Sequence, residues 1–175
     1  MPSTVSDARD LLISSVLCDD PVLYIDDRWL YETEAVVDDV KQVSLEDVSP
    51  QLLSQGIDIT IVGAGYSANL ALKARDMLYL KNYSADVIDI RVLNPFDPSL
   101  IISSVEKTGR LLVVDGGWST CGFAAEVITA VVEATSPNAL LHKPIRITLP
   151  NAPAPTDVSV THVPKMTPER MVNFD

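Results

Sequence analysis

The sequence predicts an α/β fold with a mostly parallel sheet that is covered by helices on both faces. From residue 57 onward, strand-like and helix-like segments alternate, and the strand candidates are residues 57–62, 85–90, 110–114 and 145–148. These candidates are almost continuously apolar, as strands buried on both faces are, and such alternation favours a parallel sheet. At 175 residues with 47% hydrophobic composition, the chain fits one main domain.

Turn and cap residues mark the boundaries of the first two helices of this region. Residues 57–62 run into Gly63-Ala64-Gly65, after which apolar residues recur on one helical face. Further along, Asp97 is expected to cap a helix whose first residue is Pro98, because proline loses no hydrogen bond at that position. Gly109 is expected to end this helix.

The helix predicted over residues 123–134 is apolar on two sides, with only Glu126, Thr129 and Glu133 forming a polar stripe. A helix that is apolar on two sides is buried on two sides. Its second face therefore packs either within its own domain or against another subunit. The two apolar faces are Phe123, Val127, Ala130, Val131 and Ala134, and Ala125, Ile128 and Val132.

The two ends of the chain are less regular. Ser6 is expected to cap a helix that stops at Asp19-Asp20-Pro21, and residues 22–25 form a short strand candidate. Residues 32–56 are acidic and are interpreted as a connection holding one or two short strands. The proline-rich tail from Pro150 is expected to run extended over the surface and to end in a short helix.

Composition and charge exclude several classes of function. Thirteen Lys and Arg residues against 24 Asp and Glu give a net charge of −11, which repels the phosphate backbone of nucleic acids. Cys18 and Cys121 are far apart and match no metal-ligand spacing, so they are expected to be reduced thiols. No apolar stretch is long enough to span a bilayer, which predicts no membrane partner and a cytoplasmic location, or the mitochondrial matrix in a eukaryote.

The turn Gly63-x-Gly65 resembles a dinucleotide-binding fingerprint. It follows a strand candidate and precedes a helix, and Asp86 or Asp89 lies near the end of the next strand. In a nucleotide site the glycines would admit a pyrophosphate and the acidic residue would bind the ribose hydroxyls. However, every strand-turn-helix unit needs a small-residue turn here, and Asp89 with Arg91 could equally form an internal ion pair.

The loop from Gly116 to Gly122 places Trp118 at the end of a strand, where doubly wound folds have their sites. Trp118 is interpreted either as a recognition residue or as a cover over the domain surface. The two histidines, His142 and His162, lie in apparent loops, and no motif for a nucleophile or a metal site is present. Residue patterns alone therefore predict a fold and no catalytic residues.

Several ordered segments resemble the beta subunits of pyruvate and branched-chain 2-oxo acid dehydrogenase E1 enzymes, which belong to the transketolase-like thiamine-diphosphate group. The resemblance covers nearly the whole chain. Its segments are Pro2-Ser3-Thr4 with residues 7–12, residues 20–25 through Leu30-Tyr31, residues 56–62, residues 86–97, residues 107–110, Gly116-Gly117-Trp118, residues 122–126 and Pro153-Ala154-Pro155.

This resemblance implies a three-layer α/β/α domain over residues 57–175, with a five-stranded, mostly parallel sheet that includes one antiparallel strand. Residues 1–31 would be a helix and strand of the preceding pyrimidine-binding domain, either loosely held or paired with another copy, and residues 32–56 the connection. The family's catalytic histidine and glutamate would lie in that preceding half. The chain alone is therefore expected to be inactive and to bind no cofactor.

The resemblance also implies partners. The full enzyme would use thiamine diphosphate and Mg²⁺ and would oxidatively decarboxylate pyruvate or a related 2-oxo acid. This chain would contact E1 alpha or the other half of the enzyme, a second E1 beta copy and the E2 peripheral binding domain. Its interface candidates are Trp118, Phe123 and Ile128, and a structural polar set would consist of Asp89, Arg91 and Glu126. The alternatives are an independent nucleotide-binding domain that uses Gly63, Gly65 and Asp89, and a stand-alone interaction module.

Overall fold

A computed structural model describes residues 1–40, 43–151 and 167–172. Its sheet has five strands, β1 Gln51–Ser54, β2 Ile59–Gly63, β3 Ala85–Asp89, β4 Leu111–Trp118 and β5 Ile145–Leu149, in the order β1-β3-β2-β4-β5. Strand β1 runs antiparallel to β3 and every other pairing is parallel. The predicted mixed sheet with one antiparallel strand is confirmed, and that strand lies in the connection over residues 32–56.

Helices cover both faces of the sheet, which confirms the three-layer prediction. The helices are α1 Val5–Leu17, α2 Tyr66–Tyr79, α3 Ser99–Thr108, α4 Phe123–Ala134 and α5 Pro168–Val172. On one face α2 and α5 pack over Ile61, Val87 and Leu112. On the other face α3 and α4 pack over Val62, Ile88 and Val113. Successive residues of each central strand thus enter opposite cores, because side chains alternate across a strand.

Some boundaries differ from the predictions. Helix α1 begins after Thr4 rather than Ser6, because the Thr4 side chain accepts a hydrogen bond from the Asp7 N–H at 3.1 Å. Helix α3 begins at Ser99 with Pro98 at its cap position, one residue later than the predicted cap Asp97 and first residue Pro98, although Asp97 still accepts a hydrogen bond from the Ser99 N–H at 2.9 Å. Gly109 ends α3 in the left-handed conformation, as predicted.

Residues 22–25 form no strand, contrary to the prediction. No strand of the described sheet lies beside them, so their backbone has no ladder partner. The chain instead passes through two short 3-10 turns, Arg28–Leu30 and Leu45–Asp47, before β1. Most of the predicted extended tail lies outside the described residues, whereas its predicted terminal helix is α5.

Gly56, just before β2, has no room for a side chain. A Cβ atom there would lie 2.2 Å from the Ala85 backbone nitrogen and 2.4 Å from the Ser84 carbonyl carbon. We expect Gly56→Ala to lower the free energy of unfolding by about 2 kcal/mol, because backbone atoms cannot move aside as a side chain can. Urea unfolding measures this change. Gly116→Ala is the control, since its Cβ would meet nothing closer than Ser67 Oγ at 3.8 Å; equal losses in both variants would contradict the steric explanation.

Candidate functional site

The carboxyl ends of β2 and β3 are where a doubly wound fold would hold a ligand. The turn Gly63-Ala64-Gly65 lies there, and Gly65 has the positive φ of 55° that favours glycine. This turn is covered by the amino-terminal residues of the chain. A Cβ atom on Gly65 would lie 2.9 Å from Met1 Cε and 3.5 Å from the Pro2 carbonyl oxygen. Met1 and Pro2 therefore fill the position that a pyrophosphate would need.

Asp89, the acidic residue of the predicted fingerprint, is fully buried at the end of β3. The Ser3 hydroxyl donates to its carboxylate, and the Arg91 N–H lies 3.3 Å from the other carboxylate oxygen. Burial, reinforced by the nearby charge of Asp7, raises the pKa of Asp89 to about 6 even though the Ser3 hydrogen bond and Arg91 act in the opposite direction. Its carboxylate is thus directed at Ser3 and has no surface exposed to a ligand.

Three further contacts join the first turn of α1 and the residues before it to this end of the sheet. The Arg91 guanidinium forms a 2.7 Å ion pair with Asp7 in the first turn of α1. The Asn69 amide of α2 donates to the Ser3 carbonyl at 2.7 Å, and the Met1 amino group donates to the Arg91 carbonyl at 2.7 Å. These contacts join the residues before α1 and its first turn to α2 and to Arg91, which follows β3; that the helix is loosely held stays a prediction. Pairing with another copy stays a prediction.

The predicted polar set therefore forms only in part. Asp89 and Arg91 lie together, joined by Ser3 and Asp7, which sequence reasoning did not include. Glu126 is exposed on α4, and no described hydrogen bond or ion pair links it to the other two. Its position on the polar stripe of α4 explains this separation, since that stripe faces water rather than the strand end. The partners Ser3 and Asp7 are more than 80 residues away in sequence, so no local pattern could indicate them.

The loop after β4 is organised by Asp115. One carboxylate oxygen accepts from the Gly117 N–H at 2.8 Å and the other from the Ala124 N–H of α4 at 2.9 Å. A Cβ on Gly122 would lie 2.0 Å from the Trp118 carbonyl oxygen, so this loop folds back tightly on itself. Trp118 remains 45% exposed at its start, as a candidate interface residue would be.

Comparison with known proteins shows the family. Residues 50–171 match the model described as transketolase, C-terminal domain. The chain belongs to the transketolase C-terminal domain family. A solved structure titled "Split gene transketolase, inactive beta4 tetramer" has the same fold, with a TM-score of 0.54 and 24% identity over 63% of this chain and 35% of that one.

Two curated relatives come from Bacillus subtilis (strain 168). The "Pyruvate dehydrogenase E1 component subunit beta" is 35% identical over 75% of this chain and 40% of its own length. The "Acetoin:2,6-dichlorophenolindophenol oxidoreductase subunit beta" is 31% identical over 99% of this chain and 50% of its own length. The predicted resemblance to E1 beta subunits is thereby confirmed. The chain spans about half or less of the length of these relatives.

The other two interface candidates, Phe123 and Ile128, lie on α4 of this transketolase C-terminal domain. Phe123 packs edge-on against Phe96, with ring centroids 5.3 Å apart, and Ile128 is half-buried against the same core. Val132, one turn beyond Ile128, is 50% exposed. The second apolar face of α4 is thus only partly covered by its own domain.

The residues that the structure describes do not fit the thiamine diphosphate and Mg²⁺ that the family implies. Among the described ranges, no group of three or more His, Cys, Asp or Glu side chains could hold a metal ion. The glycine turn at the carboxyl end of β2 is filled by Met1 and Pro2, which leaves no cradle there for a diphosphate.

No described helix is long and apolar enough to cross a membrane.

The amino-terminal part of the chain, before the matched domain, carries most of the exposed large apolar side chains. Of the 19 large hydrophobic side chains that are exposed in the described part of the chain, 11 lie between residues 12 and 43. We define the N-terminal apolar surface as these 11 residues. They are Leu12, Val16, Leu17, Val22, Leu23, Ile25, Trp29, Tyr31, Val36, Val40 and Val43.

Proposed function

We propose that this chain is the assembly and docking part of a thiamine-diphosphate-dependent 2-oxo acid dehydrogenase E1 beta subunit and has no catalytic activity alone. The full enzyme would oxidatively decarboxylate pyruvate or a related 2-oxo acid. The kinship with an E1 component subunit beta supports the class of enzyme. The N-terminal apolar surface is the observation that carries the assembly role.

The concentration of exposed large apolar side chains between residues 12 and 43 favours a protein partner. Soluble proteins seldom expose contiguous apolar patches unless these serve as interfaces. Asp7 in the first turn of α1 pairs with Arg91, and Ser3 just before the helix accepts a hydrogen bond from Asn69 of α2, so the start of this region is held against the domain. The occupant proposed for this surface is the pyrimidine-binding part of the same enzyme or the E1 alpha subunit. Trp118 and the second face of α4, with Ile128 and Val132, would then contact a second E1 beta copy or the E2 peripheral binding domain.

The dinucleotide alternative finds less support. It needs an open turn at Gly63 and Gly65 and an accessible Asp89, whereas Met1 covers Gly65 and Asp89 is fully buried against Ser3. A nucleotide would have to displace the amino-terminal residues before it could reach this turn. Gly63 and Gly65 instead form the tight connection between β2 and α2.

Self-association of the isolated chain tests the assembly proposal. We expect light scattering to give a molar mass above the 19.0 kDa of one chain as concentration rises, because in the absence of its proposed partner the N-terminal apolar surface is removed from water by self-association. Leu23→Asp should raise the concentration needed for association at least about tenfold, which corresponds to 1.4 kcal/mol. Leu80→Asp is the matched control, since both leucines are 84% exposed and only Leu23 belongs to that surface.

Two results would count against this proposal. One is that the chain stays monomeric at every concentration up to about 100 μM, because most specific assemblies have dissociation constants below that value. The other is an equal effect of Leu23→Asp and Leu80→Asp. Titration with thiamine diphosphate and Mg²⁺, and separately with NAD, is expected to give no heat signal. Saturable NAD binding would favour the dinucleotide alternative instead.

A further inference from the structure

The opposite end of the sheet carries a cavity, at the amino ends of β2, β4 and β5. Its volume is about 640 Å³, within the range of small-molecule sites. Leu78 at the end of α2, Ile145 at the start of β5 and Val172 of α5 form apolar walls. This cavity is separate from the carboxyl ends of β2 and β3, where Asp89 lies. In a parallel pair the amino ends of the strands lie at one edge of the sheet and the carboxyl ends at the other.

The rim of this cavity is basic although the chain is acidic. Lys81, Arg110 and Lys143 line it, which are three of the 13 lysines and arginines in a chain of net charge −11. Arg9, Arg75, Arg91 and Lys107 each form an ion pair with a carboxylate, whereas Arg110 and Lys143 form none with any described residue. Three cationic side chains are therefore concentrated around one apolar space.

Among the described residues that line the same cavity, Asp58 has the one carboxylate, and it is already engaged. The Ser84 N–H and the Ser84 hydroxyl both donate to one Asp58 oxygen at 2.7 Å. These hydrogen bonds, together with the positive charge of Arg110, lower the pKa of Asp58. Arg110 donates to the Asp58 backbone carbonyl at 3.3 Å, which fixes the guanidinium beside the cavity. The Asp58 carboxylate thus neutralises only part of the basic rim.

We propose that this cavity binds an organic anion in which a carboxylate or phosphate group is attached to an apolar body. The anionic group lies between Arg110 and Lys143, where cations attract it and can donate hydrogen bonds. The apolar body lies against Leu78, Ile145 and Val172. His142 and Tyr83 also line this cavity. This site is independent of the assembly role, since none of its residues belongs to the N-terminal apolar surface.

Two probes with the same ring test the site, phenyl phosphate and phenylacetate, each followed by NMR chemical shifts of the ¹⁵N-labelled chain. We expect saturable shifts at the amides of Arg110, Lys143 and Ile145, with a dissociation constant of about 1 mM or below. The tighter of the two probes identifies the anionic group. Inorganic phosphate and benzyl alcohol, which each carry half of the proposed chemistry, should bind at least about tenfold more weakly.

Charge reversal at the rim separates this site from general attraction. Lys143→Glu is expected to raise the dissociation constant at least about tenfold, because it removes one cation and adds a repelling charge. Lys73→Glu makes the same change in net charge on the exposed side of α2, outside the cavity. It should change the dissociation constant less than about twofold.

The proposal is overturned by any of four results. The first is that neither ring-bearing anion shifts the cavity amides at about 10 mM. The second is that the shifts map elsewhere on the chain, and the third is that Lys73→Glu weakens binding as much as Lys143→Glu. The fourth is binding of inorganic phosphate as tight as that of phenyl phosphate, since the apolar walls would then contribute nothing.

Discussion

Replacing Asp86 with alanine is expected to lower the free energy of unfolding by about 3–5 kcal/mol. Asp86 of β3 is buried, and its carboxylate accepts hydrogen bonds from the Gly56 N–H at 2.8 Å and the Ser104 hydroxyl at 2.5 Å. Lys107 forms a 2.6 Å ion pair with it. Alanine would leave these donors without their acceptor, and a buried donor without a partner costs about 1–3 kcal/mol.

The Asp86 carboxylate also supports a wider buried network. Ser104 is hydrogen-bonded to Thr60 of β2 at 2.7 Å, and Thr60 to Thr108 at the end of α3 at 2.7 Å. Burial alone would raise the pKa of Asp86, but the hydrogen bonds from Lys107, Ser104 and Gly56 outweigh it and hold the pKa below its usual range. The carboxylate therefore stabilises the fold above about pH 4, and this contribution is lost as the pH falls through its lowered pKa.

Urea unfolding at about pH 7 measures the effect of the Asp86→Ala change. Asp76→Ala is the control, because Asp76 forms an ion pair with Arg75 while its side chain is 69% exposed. An exposed pair of this kind contributes less than about 1 kcal/mol. A loss at Asp86 no larger than the loss at Asp76 would show that the network around β3 and α3 contributes little.

Asp89→Asn is expected to remove a pH dependence of stability rather than a contact. The pKa of Asp89 is about 6 in the folded chain, against about 3.9 for an unfolded aspartate. The protonated carboxyl thus favours folding: its contribution is fully present below about pH 3.9 and is lost as the pH rises through about 6. Between about pH 4 and pH 7 the unmodified chain should lose about 2–3 kcal/mol from this group, since each unit of pKa shift corresponds to about 1.36 kcal/mol.

Unfolding in urea at several pH values between about 4 and 7 compares the two chains. The amide introduced by Asp89→Asn does not titrate, so the difference between variant and unmodified chain should grow with pH across this range. Asp97→Asn is the control, because the Ser99 hydrogen bonds lower the pKa of Asp97 and its titration lies at more acidic pH. Parallel pH profiles for the unmodified chain and Asp89→Asn would contradict the burial of a titrating carboxyl at this position.

The fold was predictable because its signals are local. The isoleucine-rich segment before Gly63 forms β2 within two residues of its predicted start, and the helix predicted over residues 123–134 is α4. Glycine and proline residues indicated the turns, because the backbone conformations that each favours act at single positions. The strand predicted over residues 22–25 failed because a short apolar run forms a strand only when a neighbouring strand pairs with it.

The candidate site was less predictable because its contacts are distant in sequence. Asp89 and Arg91 drew attention as a pair, but their partners Ser3 and Asp7 belong to a helix and its lead-in that pattern alone could not place against β3. The basic cavity could not be predicted for the same reason. Lys81, Arg110 and Lys143 belong to three different loops, and only the topology of the sheet brings them together.

The attachment of α1 also fixes an order of events during synthesis. Its anchoring residues Ser3 and Asp7 leave the ribosome well before Asp89 and Arg91, which follow more than 80 residues later. Contacts of such long range form slowly, because a large loop must close before they contribute. Until then α1 carries its apolar side chains without a docking surface, and such intermediates aggregate readily. The growing chain is therefore expected to need a chaperone, or an early partner, until β3 has joined the sheet.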